Sequence, residues 1–377
     1  MDAIRLRICC LATLVGIGCS FEEAGHQLDT TVGREVDIRM DIPPVVVDEM
    51  SPATWNWGGL RPDPENEISL ADRPRVLQSD VERDRFLLIE RHRIRQLEVG
   101  GAELWRFDPA EAHPGGRVEL DSACRLGGDT LLAFDRNNFK LFALHIGESG
   151  FTAATLRSNT RLVSDGCLRN GRFVLASTTP SSDGDLLIAL KLHSWPASDT
   201  GSTVVVLPLP NERRTGWIQP SFGVTDSLIF VAHADSGIVN LYSTTGQLAR
   251  ILRWPERRIP LTREVAQAYF GEDPTRPSDA PRVFVPNLEG PRVNHLPAFL
   301  EVHSEPGGLL WIRVPRTIGD TLQEWYVVKN TGQGVAHWLI PEPSADQPTV
   351  VVGRVSGRPV LYHEDIYGAP FLRALSD

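Results

Sequence analysis

Three stretches of the chain repeat one order of apolar and polar positions. Thr130–Gly147 (TLLAFDRNNFKLFALHIG), Ser227–Gly246 (SLIFVAHADSGIVNLYSTTG) and Leu309–Gly332 (LLWIRVPRTIGDTLQEWYVVKNTG) each run apolar strand, Asp- or Asn-bearing turn, apolar strand, Gly-marked turn. Short apolar runs bounded by such turns read as strands. A strand-built unit that returns along a chain cannot bury both faces of its sheet alone. It must stack on neighbours, so the pattern predicts a β-propeller.

Extending the register gives six units: about Ser69–Pro114, Gly116–Thr160, Arg161–Glu212, Gly216–Trp254, Val293–Pro341 and Thr349–Asp377. In the first, Arg91, Arg93 and Arg95 alternate with His92 and Ile94, which reads as a solvated strand face. The last unit offers only Val350–Val355, Pro359–His363 and Pro370–Leu375 as strands. An open sheet edge invites association. The missing strand is therefore expected from the leader, residues 19–67, where Glu35–Pro43 and Ala53–Gly58 can extend. The expected architecture is all-β, a six-bladed β-propeller over residues 68–377 closed by an N-terminal strand. The period breaks once. Leu261–Phe270 (LTREVAQAYF) reads as a short helix with Thr262 as N-cap, a helical insertion between blades four and five, followed by the Pro-rich stretch Pro274–Pro286.

Residues 1–18 read as a signal peptide. Arg5 and Arg7 precede the apolar stretch Ile8–Ile17, which is too short to span a bilayer as a helix. Gly16-Ile17-Gly18-Cys19 then has the small residues of a bacterial lipobox, with Cys19 as the lipidated residue, although Gly16 stands where Leu is usual. Ordinary signal cleavage suits the same glycines. The expected location is extracytoplasmic: the periplasm or outer membrane as a lipid-anchored protein, otherwise secreted. Membrane contact is expected only through that anchor.

With Cys9 and Cys10 in the signal and Cys19 lipidated, Cys124 and Cys167 remain. They lie 43 residues apart, about one unit, in similar contexts (LDSAC and VSDGC). A disulfide between adjacent blades suits this spacing and an oxidising compartment, and two buried free thiols are the alternative. The chain has 48 Asp and Glu against 38 Lys and Arg, a formal charge of −10, which argues against a nucleic-acid partner. No P-loop, dinucleotide fingerprint or Gly-x-Ser-x-Gly elbow occurs in the sequence.

Asp129–Phe142 (DTLLAFDRNNFKLF) resembles the NHL-type order of strand, Asp, Asn-rich turn and strand. His113-Pro114-Gly115-Gly116 resembles a degraded form of the turn that precedes such blades. Pro297–Val314 with Trp325–Pro341, and Gly357–Leu375, resemble the late blades of the same group. Roughly residues 70–377 are thus similar to extracytoplasmic six-bladed β-propellers related to NHL-repeat proteins, common as bacterial lipoproteins. The resemblance speaks to architecture, because its motifs are turn and packing positions.

Propeller ligands bind around the innermost strands. Asp121, Asp165, Gln219 and His295 each precede the Cys or Pro that opens an inner strand, and they form the expected ligand or partner face. Two carboxylates, an amide and an imidazole could take a divalent cation in the channel or merely line it with water. No cofactor is otherwise expected. The function expected is non-catalytic binding or scaffolding in the cell envelope, for an envelope protein or a small polar ligand, by a monomer or a subunit of a larger complex. The alternative is a channel-metal propeller enzyme resembling lactonases or lyases.

Overall fold

The computed structural model describes residues 33–47, 53–58, 75–80, 85–98, 102–109, 117–148, 150–168, 170–181, 186–195, 201–208, 221–225, 227–255, 259–260, 262, 265, 295–305, 308–316, 322–341, 350–355, 358–364 and 370–375. Arg34–Asp377 belong to one compact unit. It is an all-β propeller.

Among the described residues the leader supplies β1 (Arg34–Asp37), β2 (Val45–Val46) and β3 (Ala53–Gly58). Antiparallel groups of strands follow. The first is β4 (Arg75–Asp80), β5 (Arg85–Ile89), β6 (Ile94–Glu98) and β7 (Glu103–Phe107). The second is β8 (Leu120–Gly127), β9 (Thr130–Asp135), β10 (Lys140–His145) and β11 (Phe151–Thr155). The third is β12 (Thr160–Cys167), β13 (Arg172–Pro180), β14 (Leu186–Ser194) and β15 (Ser202–Pro208). The fourth is β16 (Ser221–Thr225), β17 (Leu228–His233), β18 (Ile238–Tyr242) and β19 (Leu248–Arg253). The fifth is β20 (Glu301–Glu305), β21 (Leu309–Val314), β22 (Leu322–Lys329) and β23 (Gly334–Pro341). The chain ends with β24 (Val350–Val355), β25 (Arg358–Glu364) and β26 (Pro370–Leu375).

The expectation of six separate blades is corrected by the hydrogen bonding. The described strands form five sheets, because β24 and β4 meet at the parallel bridge Gly353↔Val76 and join the last and first groups into one eight-stranded sheet. No helical insertion is seen among the described residues. Of Leu261–Phe270 only Thr262 and Val265 are described, and the rest of that segment lies outside the described residues. Val265 N donates to Thr262 Oγ1 (3.3 Å).

The apolar runs follow from where the cores sit. Residues such as Leu131–Phe134 in β9 and Ile229–Ala232 in β17 are buried in succession, because the middle strands of each sheet are covered on both faces. The cores lie between sheets. Leu87, Ile94 and Phe107 of the first group pack with Ala123, Leu131 and Phe142 of the second. Cys124, Leu132 and Leu141 pack with Leu162, Phe173 and Leu175 of the third. Phe230, Leu241 and Leu252 of the fourth pack with Val302, Ile312 and Val328 of the fifth.

The leader does more than close the last blade. β3 pairs antiparallel with β26, which completes the final group as expected. In addition, β1 pairs parallel with β19, and β2 pairs parallel with β23. Between them Arg39 bridges Gln333, with Gly334 N donating to Arg39 O (3.1 Å). Residues Glu35–Pro43 therefore do not serve the last blade; they run along the outer edges of the two before it. The leader also enters the cores. Ile38 is buried with Leu252, Val314 and Val328, and Val47 with Trp311, Trp338 and Leu361. Each such burial contributes about 1.5–3 kcal/mol. A Cβ at Gly332, which has φ +86°, would stand 2.8 Å from Val36 Cγ1, and one at Gly334 would stand 2.6 Å from Arg39 O. Glycine there makes room for the leader.

The arginine stripe of the first group is not a solvated face. Arg95 is 2% exposed, and its Nε donates to Glu90 Oε2 (2.9 Å), which also accepts from Arg93 Nε (2.7 Å). Burial pushes the Glu90 carboxyl up and the Arg95 guanidinium down from their ordinary values, and their mutual attraction opposes both shifts. Removing one member of a buried pair leaves the other uncompensated. Arg95→Met should destabilise the protein by about 3–5 kcal/mol in denaturant unfolding, and the double variant Glu90→Leu/Arg95→Met by much less. Equal losses in the single and double variants would contradict this role.

Candidate functional site

The first strands of neighbouring groups touch in order: β8 with β12, β12 with β16, β16 with β20, and β24 with β4. This places them on the inner side of the propeller, opposite the edges that the leader covers. A disulfide and a hydrogen bond among the described residues tie β8 to β12. Cys124 and Cys167 form a disulfide with Cα atoms 5.5 Å apart, the pairing expected from their spacing. Ser122 Oγ donates to Leu162 O (3.0 Å). Closing a loop of this length contributes on the order of 4 kcal/mol through the unfolded chain.

The disulfide brings the strands of two expected site residues side by side. Asp121 is exposed on β8, at the register shift between Leu120 and Ser122. Asp165 lies in β12, within the irregular stretch between Leu162 and Cys167. His295 is half-buried and falls outside β20; it bridges to Pro260 on the connection from the fourth group. Gln219 and Cys19 lie outside the described residues, as does the Pro-rich stretch. Among the described residues no group of three or more His, Cys, Asp or Glu side chains could hold a metal ion.

A different polar cluster stands on the inner strand β20. Alternation puts Glu301, His303 and Glu305 on one face, in register with Arg313, Trp311 and Leu309 of β21. Glu301 Oε1 accepts from Arg313 Nη1 (2.9 Å), and Glu301 Oε2 lies 3.2 Å from His303 Nε2. The His303 ring stacks on Trp325 with centroids 6.0 Å apart. Burial raises the Glu301 pKa, but the His303 hydrogen bond and the Arg313 charge outweigh it and hold the carboxyl at about 2. An ionised carboxylate only accepts, so His303 Nε2 is the donor in this contact. The imidazole is thus oriented, and with 44% of its side chain exposed it remains open to a ligand. Such a ring can hydrogen-bond a polar group.

A second network is buried and serves packing. Glu324 Oε1 accepts from Tyr326 Oη (2.6 Å) and lies 3.1 Å from His337 Nε2. The Tyr326 and His337 rings stack at 4.0 Å, and Trp254 of the neighbouring group meets Tyr326 edge-on at 5.1 Å. These contacts lock β22 to β23 and to the fourth group.

No protein family and no curated protein matches the chain. Solved structures are similar in fold. A streptogramin B lyase shares 13% identity over 85% of this chain and 97% of its own, with a TM-score of 0.40. A Bacteroides fragilis protein described as exported shares 9% over 91% and 99%, with a TM-score of 0.45. The Pan2 WD40 domain of Neurospora crassa shares 8% over 89% and 98%, with a TM-score of 0.40. The likeness is one of β-propeller architecture.

Because Glu301 has a lowered pKa in the folded protein, its ionised form favours folding. That contribution is complete above about pH 4.5 and is lost as pH falls toward about 2. The stability gap between wild type and Glu301→Gln, read from urea midpoints, should therefore narrow through this window. A constant gap would contradict the placement of Glu301 between His303 and Arg313.

Proposed function

We propose that the protein is a non-catalytic binding or scaffold protein of a bacterial cell envelope. One propeller face receives an envelope protein or a small polar ligand. The observation that carries this reading is the Cys124–Cys167 disulfide between adjacent inner strands. A structural disulfide suits an oxidising compartment, and this one holds the inner strands in fixed relation, as a preorganised binding surface requires. The proposed face joins Asp121, Asp165, Gln219 and His295 with the accessible His303. The proposed anchor is a lipid on Cys19, with the signal residues before it removed.

The second reading, an enzyme that uses a channel cation, is favoured by one feature, the imidazole oriented by Glu301. A photoreactive amino acid placed at Asp121 in cells distinguishes the two. Binding predicts one discrete adduct, lost when His303→Ala is added and absent when the probe sits at Val206 on the rim. Absence of an adduct at Asp121, together with a stoichiometric divalent ion in the purified protein, would favour the enzyme.

A further inference from the structure

We propose that Arg91, Arg117 and Arg136 form an anion-binding platform that receives a carboxylate-rich segment of a partner protein. This rests on the reading that a propeller face receives an envelope protein, and it names the chemistry of the contact. The three arginines come from separate stretches of chain. Arg91 lies in the β5–β6 turn, Arg117 on the approach to β8, and Arg136 in the β9–β10 turn.

Hydrogen bonds hold these stretches together. Leu120 N donates to Arg91 O (2.8 Å), and Arg136 N donates to Glu119 O (2.9 Å). His92 Nδ1 lies 2.8 Å from Val118 O. Asn137 and Asn138 Nδ2 donate to Arg117 O (3.4 and 3.2 Å). Buried Asp135 ties the base: its Oδ1 accepts from Glu119 N (3.1 Å) and Asn137 N (3.0 Å). The backbone beneath all three arginines is thus set before a ligand arrives, which lowers the cost of binding.

Charge selects the occupant. Arg91 Nη2 stands 3.1 Å from Glu119 Oε2, so the platform already holds one carboxylate. The Arg91 hydrogen bond, with the charges of Arg91, Arg117 and Arg136, holds the Glu119 carboxyl below its ordinary value against a smaller effect of burial. Arg117 and Arg136 are exposed, and among the described residues neither guanidinium has a hydrogen bond or a close ion pair. Arg93 and Arg95, by contrast, are taken up by Glu90. The platform therefore turns two further cations to solvent, on a chain of formal charge −10. Guanidinium groups bind carboxylates through paired N–H donors, so a segment with two or more Asp or Glu side chains matches the platform.

The test is fluorescence anisotropy of labelled hexaglutamate titrated with the purified full chain in about 50 mM salt, with melting temperatures confirming that each variant is folded. Wild type should bind, and more weakly in about 0.5 M salt. Arg117→Glu with Arg136→Glu should weaken binding by about tenfold or more. Arg34→Glu with Lys329→Glu changes net charge equally at exposed sites elsewhere and should leave affinity within about twofold. Glu119→Gln removes a competing carboxylate and should tighten binding by about threefold. A wild-type chain that does not bind hexaglutamate overturns the proposal. So do equal losses in the two double variants, weaker binding by Glu119→Gln, or inorganic phosphate that binds the platform more tightly than the peptide. The photoreactive probe at Asp121 tests the binding reading separately. A discrete adduct that persists in Arg117→Glu with Arg136→Glu leaves that reading standing and overturns the platform.

Discussion

Each sheet of this propeller ends in an outer row of backbone groups that need partners, and the leader supplies them for three consecutive groups of strands. β1, β2 and β3 become the outermost strands beside β19, β23 and β26. Hydrogen bonding alone would make this a surface decoration. Ile38 and Val47 make it part of the core, because they fill the spaces between adjacent sheets. Arg253 grips Glu35 with both arms of its guanidinium, at 2.7 and 3.0 Å, which fixes the register where the leader begins its run. Gly332 and Gly334 let the leader lie close to the fifth group.

The inner side is held differently. There the strands are tied by the disulfide, by Ser122 on Leu162, and by the bridge between β24 and β4. Fixing both sides leaves little freedom between sheets, so polar groups on the inner strands keep their positions. That is the setting for His303, which faces solvent while Glu301, Arg313 and Trp325 set its orientation.

Much of the fold was legible because the middle strands are buried on both faces, and their apolar runs recur with turns between them. The Cys124–Cys167 pair was legible from matching contexts one unit apart. What escaped depended on contacts made only when strands pair. Glu301-Val302-His303-Ser304-Glu305 alternates visibly, but Arg313 and Trp325 enter only through strand register. Arg95 sits in a stripe that looks solvated, and its partner Glu90 meets it only when the hairpin closes. β2 is two residues long, below any pattern, and exists because β23 offers it an edge. The fusion of the first and last groups rests on one bridge, which no local pattern encodes.

The central claim is that the leader is a structural part of the propeller rim. Amide hydrogen exchange at Gly334 tests it most directly, because that N–H donates to Arg39 O and a partner within the sheet is not needed to explain its protection. The account predicts that the Gly334 amide in the full chain exchanges slowly, on the timescale of amides in the buried middle strand β21. Exchange at the rate of an unprotected amide would show that the leader is not held on the rim, and would contradict the account.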